Sequence, residues 1–156
     1  MSSDSSPPVG TFQLILVLAQ QMRTLMDQRL RPDGLTTQQA ALLTAVDAFG
    51  EPPTLSRVAA ALSTSHQNAR QIADALERKG MLAYDADPDD ARVRRLRTTS
   101  TNDEYWSRRN AADHDAVGAW FDDLSHAELH TLHALLTRVE HRVRRTLRGS
   151  AASRHD

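Results

Sequence analysis

Apolar residues recur at helical spacing along most of this chain. Over residues 11–30, Phe12, Ile15, Leu16, Ala19, Met22, Leu25, Met26 and Leu30 fall near a period of 3.6. Leu14, Val17 and Leu18 widen that stripe, and a helix apolar round much of its girth needs more than one packing partner. Pro32-Asp33-Gly34 breaks the pattern. Thr36 and Gln39 stand at capping-box spacing and open a second helix over 36–49, which Gly50 and Pro52-Pro53 stop. A short third helix is predicted over 55–62. After Ser63-Thr64-Ser65, a fourth is predicted over 66–79, with Ala69, Ile72, Ala73 and Leu76 inward and Gly80 at its end.

The pattern then changes. Residues 81–85 and 92–99 read as two strands of a hairpin, joined by the turn-forming Asp87-Pro88-Asp89-Asp90. A long helix over 103–123 carries Tyr105, Trp106, Val117, Trp120 and Phe121. Ser125 and Glu128 form a second capping box, and Leu129, Leu132, Leu136, Val139 and Val143 then repeat as a heptad-like seam. The predicted fold is mainly α: a helix-turn-helix lobe with a two-stranded wing, flanked by long terminal helices. Residues 1–10, rich in Ser and Pro, are expected to be a flexible arm, 11–148 a single domain, and 149–156 a frayed tail.

Composition narrows the function. The 156 residues include no cysteine, which removes disulfides, thiol redox chemistry and thiolate-bound metals. The longest apolar run, 14–19, is far below the ~18 residues that span a bilayer. No basic residue precedes Leu14, so a cytoplasmic location with no membrane partner is the expectation. A formal charge of −1 conceals segregation: four of the six residues 92–97 are Arg, while 103–128 holds seven acids. A neutral chain can still present one basic face.

The helix over 66–79 buries only small residues on its apolar side. Its front displays His66, Gln67, Asn68, Arg70 and Gln71, side chains able to hydrogen-bond base edges in a major groove. Ser65 at the N-cap leaves the positive helix end facing a phosphate. The plain alternative is a solvated polar face, since short helix-turn-helix patterns are common. The hairpin shifts the balance, because a slim ribbon bearing Arg92, Arg94, Arg95 and Arg97 suits the narrow, negative minor groove. Its own alternative is a charged hairpin whose Asp and Arg residues pair with each other.

These residues resemble the MarR family of winged helix-turn-helix transcriptional regulators. The resemblance spans roughly residues 11–147 and is most specific at Leu76-Glu77-Arg78-Lys79-Gly80-Met81-Leu82 and Asp87-Pro88-Asp89-Asp90-Ala91-Arg92. It implies a homodimer, with helices over 11–30 and 103–148 interlocked and a lobe over 36–100 from each subunit on palindromic double-stranded DNA. It also implies that Ser65, His66, Gln67, Asn68, Arg70 and Gln71 read the major groove. Arg92, oriented by Asp90 and joined by Arg94, would enter the minor groove. Phe12, Ile15, Leu16, Leu129, Leu132, Leu136, Val139 and Val143 are the expected dimer interface. Asn102 stands where the family commonly has Gly, a change that Asn tolerates in the left-handed conformation.

The expected function is therefore a sequence-specific repressor released by a small aromatic effector, with no catalytic site, cofactor or metal. In the family such effectors bind beside the dimerisation helices, which makes Tyr105 and Trp106 the candidate pocket; core packing is the stronger reading for either ring. His126, His130 and His133 sit on one helix without an opposing carboxylate, so a metal site is not expected. No Gly-rich phosphate loop, nucleophile elbow or HExxH pair supports an enzyme. Two alternatives remain: a winged-helix protein-interaction module, and a DNA binder without ligand response.

Overall fold

The computed structural model describes residues 6–90 and 92–152. Residues 1–5 of the expected arm and 153–156 of the expected tail lie outside the described residues. The order is α1 (Pro7–Leu30), a 3₁₀ turn (Arg31–Asp33), α2 (Thr37–Asp47), α3 (Leu55–Ala61), α4 (His66–Arg78), β1 (Leu82–Ala86), β2 (Arg94–Thr98), α5 (Ser100–Ala119) and α6 (His126–Ala152).

Helix starts follow local capping. Thr36 and Gln39 close both bonds of a capping box on α2, at 3.2 Å each. Thr54 and Ser65 accept from the backbone N–H of Arg57 and Asn68 at the starts of α3 and α4. Ser125 and Glu128 do the same for α6, and their bonds hold the Glu128 carboxyl below its usual pKa.

Two starts differ from expectation. α1 begins at Pro7, inside the segment expected to be an arm, because Pro7 and Pro8 occupy a first turn that needs no backbone donor. α5 begins at Ser100, since Thr99 Oγ1 accepts from Asn102 N at 3.4 Å. Asn102 is therefore helical and buried, not left-handed. At the other end α6 continues to Ala152, through residues expected to fray.

Three helix ends share one geometry. At Gly34, Ser63 and Gly80 the backbone turns left-handed, with φ of 68°, 51° and 71°. Each turn donates two N–H groups back into the preceding helix, as in Met81 to Leu76 at 3.0 Å and Gly80 to Glu77 at 2.9 Å. Ser63 makes this turn despite carrying a Cβ, which sets the sharp angle between α3 and α4. The sequence signalled the two glycines but not Ser63.

The chain divides into two compact units, Met1–Trp106 and Ser107–Asp156. The first holds the core. Leu30, Leu42, Leu43, Val58, Leu76, Leu82 and Leu96 are fully or almost fully buried, together with Ala69 and Ala73. β1 and β2 pair antiparallel, with Leu82 opposite Thr98 and Ala86 opposite Arg94. The segment before α3 adds a third rung, as Leu96 N donates to Pro53 O at 2.8 Å and Thr54 bridges Arg95.

The turn after α1 is held from three sides. Thr37 N and Oγ1 donate to Asp27 Oδ1 at 2.6 and 2.7 Å, Lys79 Nζ donates to Gly34 O at 2.7 Å, and Tyr105 OH donates to Asp33 Oδ2 at 3.0 Å. In the second unit an Arg109–Asp113 pair at 3.0 Å is largely enclosed on α5. No helix among the described residues is long and apolar enough to cross a membrane.

The left-handed turns can be tested by opposite substitutions. No atom lies within 4 Å of a Cβ built at Gly80, so Gly80→Ala adds conformational strain alone. It is expected to lower unfolding stability by ~1–2 kcal/mol, while Ser63→Gly changes it by less and in the stabilising direction. Urea denaturation followed by circular dichroism would show this. Equal effects of the same sign would mean that φ does not govern these turns.

Candidate nucleic-acid interface

The face of α4 opposite its buried stripe is polar, with no acid in the first turn. His66, Gln67, Arg70 and Gln71 are exposed on it. Ser65 is exposed at the N-cap, so the helix's first N–H groups lie beside an open surface. Asn68 differs from its neighbours. It is half-buried, and its amide donates to Thr64 Oγ1 at 2.8 Å, bracing the turn from α3. Of the six residues expected to read a major groove, five are exposed at this front, Ser65 as the cap and Arg70 3.8 Å from Asp74, and Asn68 is partly committed to the turn.

In the wing, the hairpin turn is organised by one carboxylate. Asp87 Oδ1 accepts from the backbone of Asp89 at 2.8 Å and Asp90 at 3.2 Å, and Oδ2 accepts from Arg95 Nε at 2.5 Å. The backbone donors and the Arg95 guanidinium hold the Asp87 carboxyl below its ordinary pKa. Arg95 also donates to Pro52 O at 2.9 Å, tying the wing base to the loop before α3. Val93 N donates to Asp90 O at 2.9 Å within the turn, and β2 starts at Arg94 rather than Arg92.

The four wing arginines have different tasks. Arg97 pairs with Asp85 at 2.8 Å, which depresses the Asp85 pKa. Arg95 is taken by Asp87. The Arg94 guanidinium lies 4.7 Å above the Tyr84 ring, exposed but stacked. Arg92 reaches outward, with its side chain 94% exposed. Its backbone N–H donates to Asp90 Oδ1 at 3.0 Å, and its Nε lies 3.4 Å from the same oxygen. Asp90 thus aims Arg92 without covering it. Internal Asp–Arg pairing accounts for Arg95, half-buried, and for Arg97, paired but exposed; Arg92 and Arg94 are exposed without being closed in such a pair.

The other expected sites are placed as follows. Tyr105 and Trp106 meet edge to face, with centroids 4.9 Å apart, and pack half-buried against the lobe core. On α1, Phe12 is 60% exposed, Leu16 is exposed and Ile15 half-buried. On α6, Leu129 and Leu132 are half-buried, while Leu136, Val139 and Val143 are exposed, the last at 53%. The His126 and His130 rings lie 4.5 Å apart, and no cluster of three or more candidate metal ligands occurs among the described residues. Two residues of the interface escaped the sequence reading: Asp74 and Tyr84, whose bond across α4 and β1 only the folded hairpin creates.

Residues 33–93 match the MarR family model. The match covers the helices of the lobe and the wing as far as its turn, and over those residues the chain is similar to the MarR family. Solved MarR-type structures share its fold over most of the chain. The MepR–DNA complex from S. aureus superposes with a TM-score of 0.76 at 20% identity, covering 85% of this chain and 97% of that one. A MarR protein from Peptoclostridium difficile gives 0.81 at 16% identity, covering 94% and 93%. Wild-type apo MarR from E. coli gives 0.69 at 22% identity, covering 81% and 93%. A search of curated proteins finds no match.

The wing carries its own pH dependence. An unfolded Asp titrates near ~3.9, and Asp87 titrates below that when folded. Its contribution is full above the unfolded value and is lost as pH falls through the folded one. Thermal unfolding from pH 6 down to pH 2 is expected to show a steeper acid loss in wild type than in Asp87→Asn. Parallel curves would place the acid sensitivity elsewhere.

Proposed function

We propose that this chain is a sequence-specific double-stranded DNA-binding transcriptional regulator of the MarR type. One observation carries the reading: a polar front on α4 with no acid in its first turn stands beside a wing whose Arg92 is aimed outward by Asp90. Gln71 and Gln67 can grip adenine, and Arg70 can grip guanine through paired donors. Arg92 suits a narrow minor groove, where the negative potential is strongest. The relative crystallised as a DNA complex, MepR, supports the same use of the fold.

The functional form we propose is a cytoplasmic homodimer on a palindromic site. Large apolar residues stand exposed along α1 and α6, among them Phe12, Leu16, Leu136, Val139 and Val143, and self-association would cover them symmetrically. We read the chain as a repressor rather than an enzyme. Its release by a small aromatic effector rests on the family resemblance, since Tyr105 and Trp106 themselves serve the core.

The test is fluorescence anisotropy on DNA from upstream of the chain's own coding sequence against random duplex, at low and moderate salt. Specific, salt-steep binding is expected. No affinity for any duplex would favour the protein-interaction module.

Arg92→Ala should weaken binding to all duplexes and flatten the salt slope by about one unit. Gln71→Ala should cost ~1–3 kcal/mol on the specific site and much less on random DNA. Val139→Glu should shift the protein to monomer in analytical ultracentrifugation and abolish tight DNA binding. A Val139→Glu protein that remains dimeric would remove α6 from the interface.

A further inference from the structure

Between α4 and the wing lies a groove of about 480 Å³, with Arg70, Asp74, Tyr84 and Arg94 among its walls. Tyr84 sits on β1, half-buried, and touches both sides. Its OH donates to Asp74 Oδ1 on α4 at 2.9 Å. Its ring carries the Arg94 guanidinium of β2, and its carbonyl accepts from Arg94 Nη2 at 3.4 Å. The second Asp74 oxygen lies 3.8 Å from Arg70 Nε, one turn back on the front of α4. Burial, followed by the bond to Asp74, pushes the Tyr84 pKa up to about 12, so the hydroxyl keeps its proton and remains a donor.

Lys79, Gly80 and Met81 link α4 to the hairpin, and Met81 and Leu82 are buried at that link. The base of the hairpin is fixed by Leu96 N to Pro53 O and by Thr98 Oγ1 to Asp47 Oδ1, bonds that lie on the side of β2, α2 and the loop before α3. On the side facing α4, the Tyr84–Asp74 bond is a direct polar tie between reading helix and wing. We propose that Tyr84 is a positioning residue that holds α4 and the wing at a fixed separation, so that major- and minor-groove contacts are made in one register. This inference rests on the DNA-binding reading above. Tyr84 itself need not touch DNA; it acts through Asp74 and Arg94.

The test uses the full chain and a duplex enriched by the wild-type protein from a randomised library. A second duplex carries one extra base pair between the segments that footprinting assigns to α4 and to the wing. Wild type is expected to lose ~10-fold or more in affinity on the insertion, the scale of a lost base contact. Tyr84→Phe keeps the ring beneath Arg94 and removes only the donor. It should bind the original duplex about 3- to 10-fold more weakly, the range one hydrogen bond sets, and discriminate the insertion far less. Asp74→Ala should behave like Tyr84→Phe, with no further loss in the double variant. Asp74→Asn keeps an acceptor oxygen and should retain wild-type discrimination.

Thermal melts that stay near wild type would show that the readout is register, not unfolding. Wild-type discrimination in Tyr84→Phe would overturn the proposal. So would an Asp74→Asn protein as impaired as Asp74→Ala, which would assign the effect to the Arg70 charge pair. If the wild-type protein enriches no duplex, the DNA-binding reading itself falls, and this inference with it.

Discussion

The lobe depends on a division of labour across one helix. α4 buries Ala69, Ala73 and Leu76, so its backbone approaches the core closely while little side-chain bulk is spent on packing. Everything outside that stripe is free to be polar. A larger residue at Ala69 or Ala73 would push the helix out and cost ~1–3 kcal/mol or more through overpacking. The left-handed turns at Ser63 and Gly80 then fix where α4 begins and ends, and Gly80 releases the chain directly into the wing. The position of both candidate readers therefore follows from the packing of two alanines and a leucine.

Around that constraint the wing is self-organised. Asp87 gathers the turn and takes Arg95 inward, Asp85 pairs with Arg97 at the surface, and Asp90 steers Arg92 outward. Acidic residues beside a candidate phosphate-binding surface look counterproductive by charge alone. Their geometry gives the reason for them: exposed ion pairs add little stability, but an Asp that accepts two backbone N–H groups shapes a turn. The wing thus uses four arginines to present one fully extended guanidinium and one stacked one.

Much of this was legible in the sequence, because caps and turns are local. Thr36 with Gln39 and Ser125 with Glu128 are bonded as their spacing predicts. The α4 stripe and the hairpin turn were equally readable. What was not readable depends on distant partners or on backbone strain. Arg95 meets Pro52 43 residues away, and Tyr84 finds Asp74 only when β1 folds back on α4. Spacing likewise cannot tell that the Asn68 amide would bond Thr64. The Pro7-Pro8 pair looked like a loop signal, yet proline is also a good first residue of a helix, and here that second property prevails.

Lys79 has a consequence of a different kind. It is the only lysine in a chain with eighteen arginines, and its ammonium closes on Gly34 O, at the junction where α1 hands over to α2. Arginine guanidinium groups are inert to amine-directed reagents at neutral pH, because they stay protonated. The side-chain amine chemistry of the whole protein is therefore concentrated in one bond, at the C-terminal end of α4. Acylation there removes the charge and competes with the Gly34 carbonyl, so the reactivity of a single side chain becomes a gauge of how tightly that junction is shut.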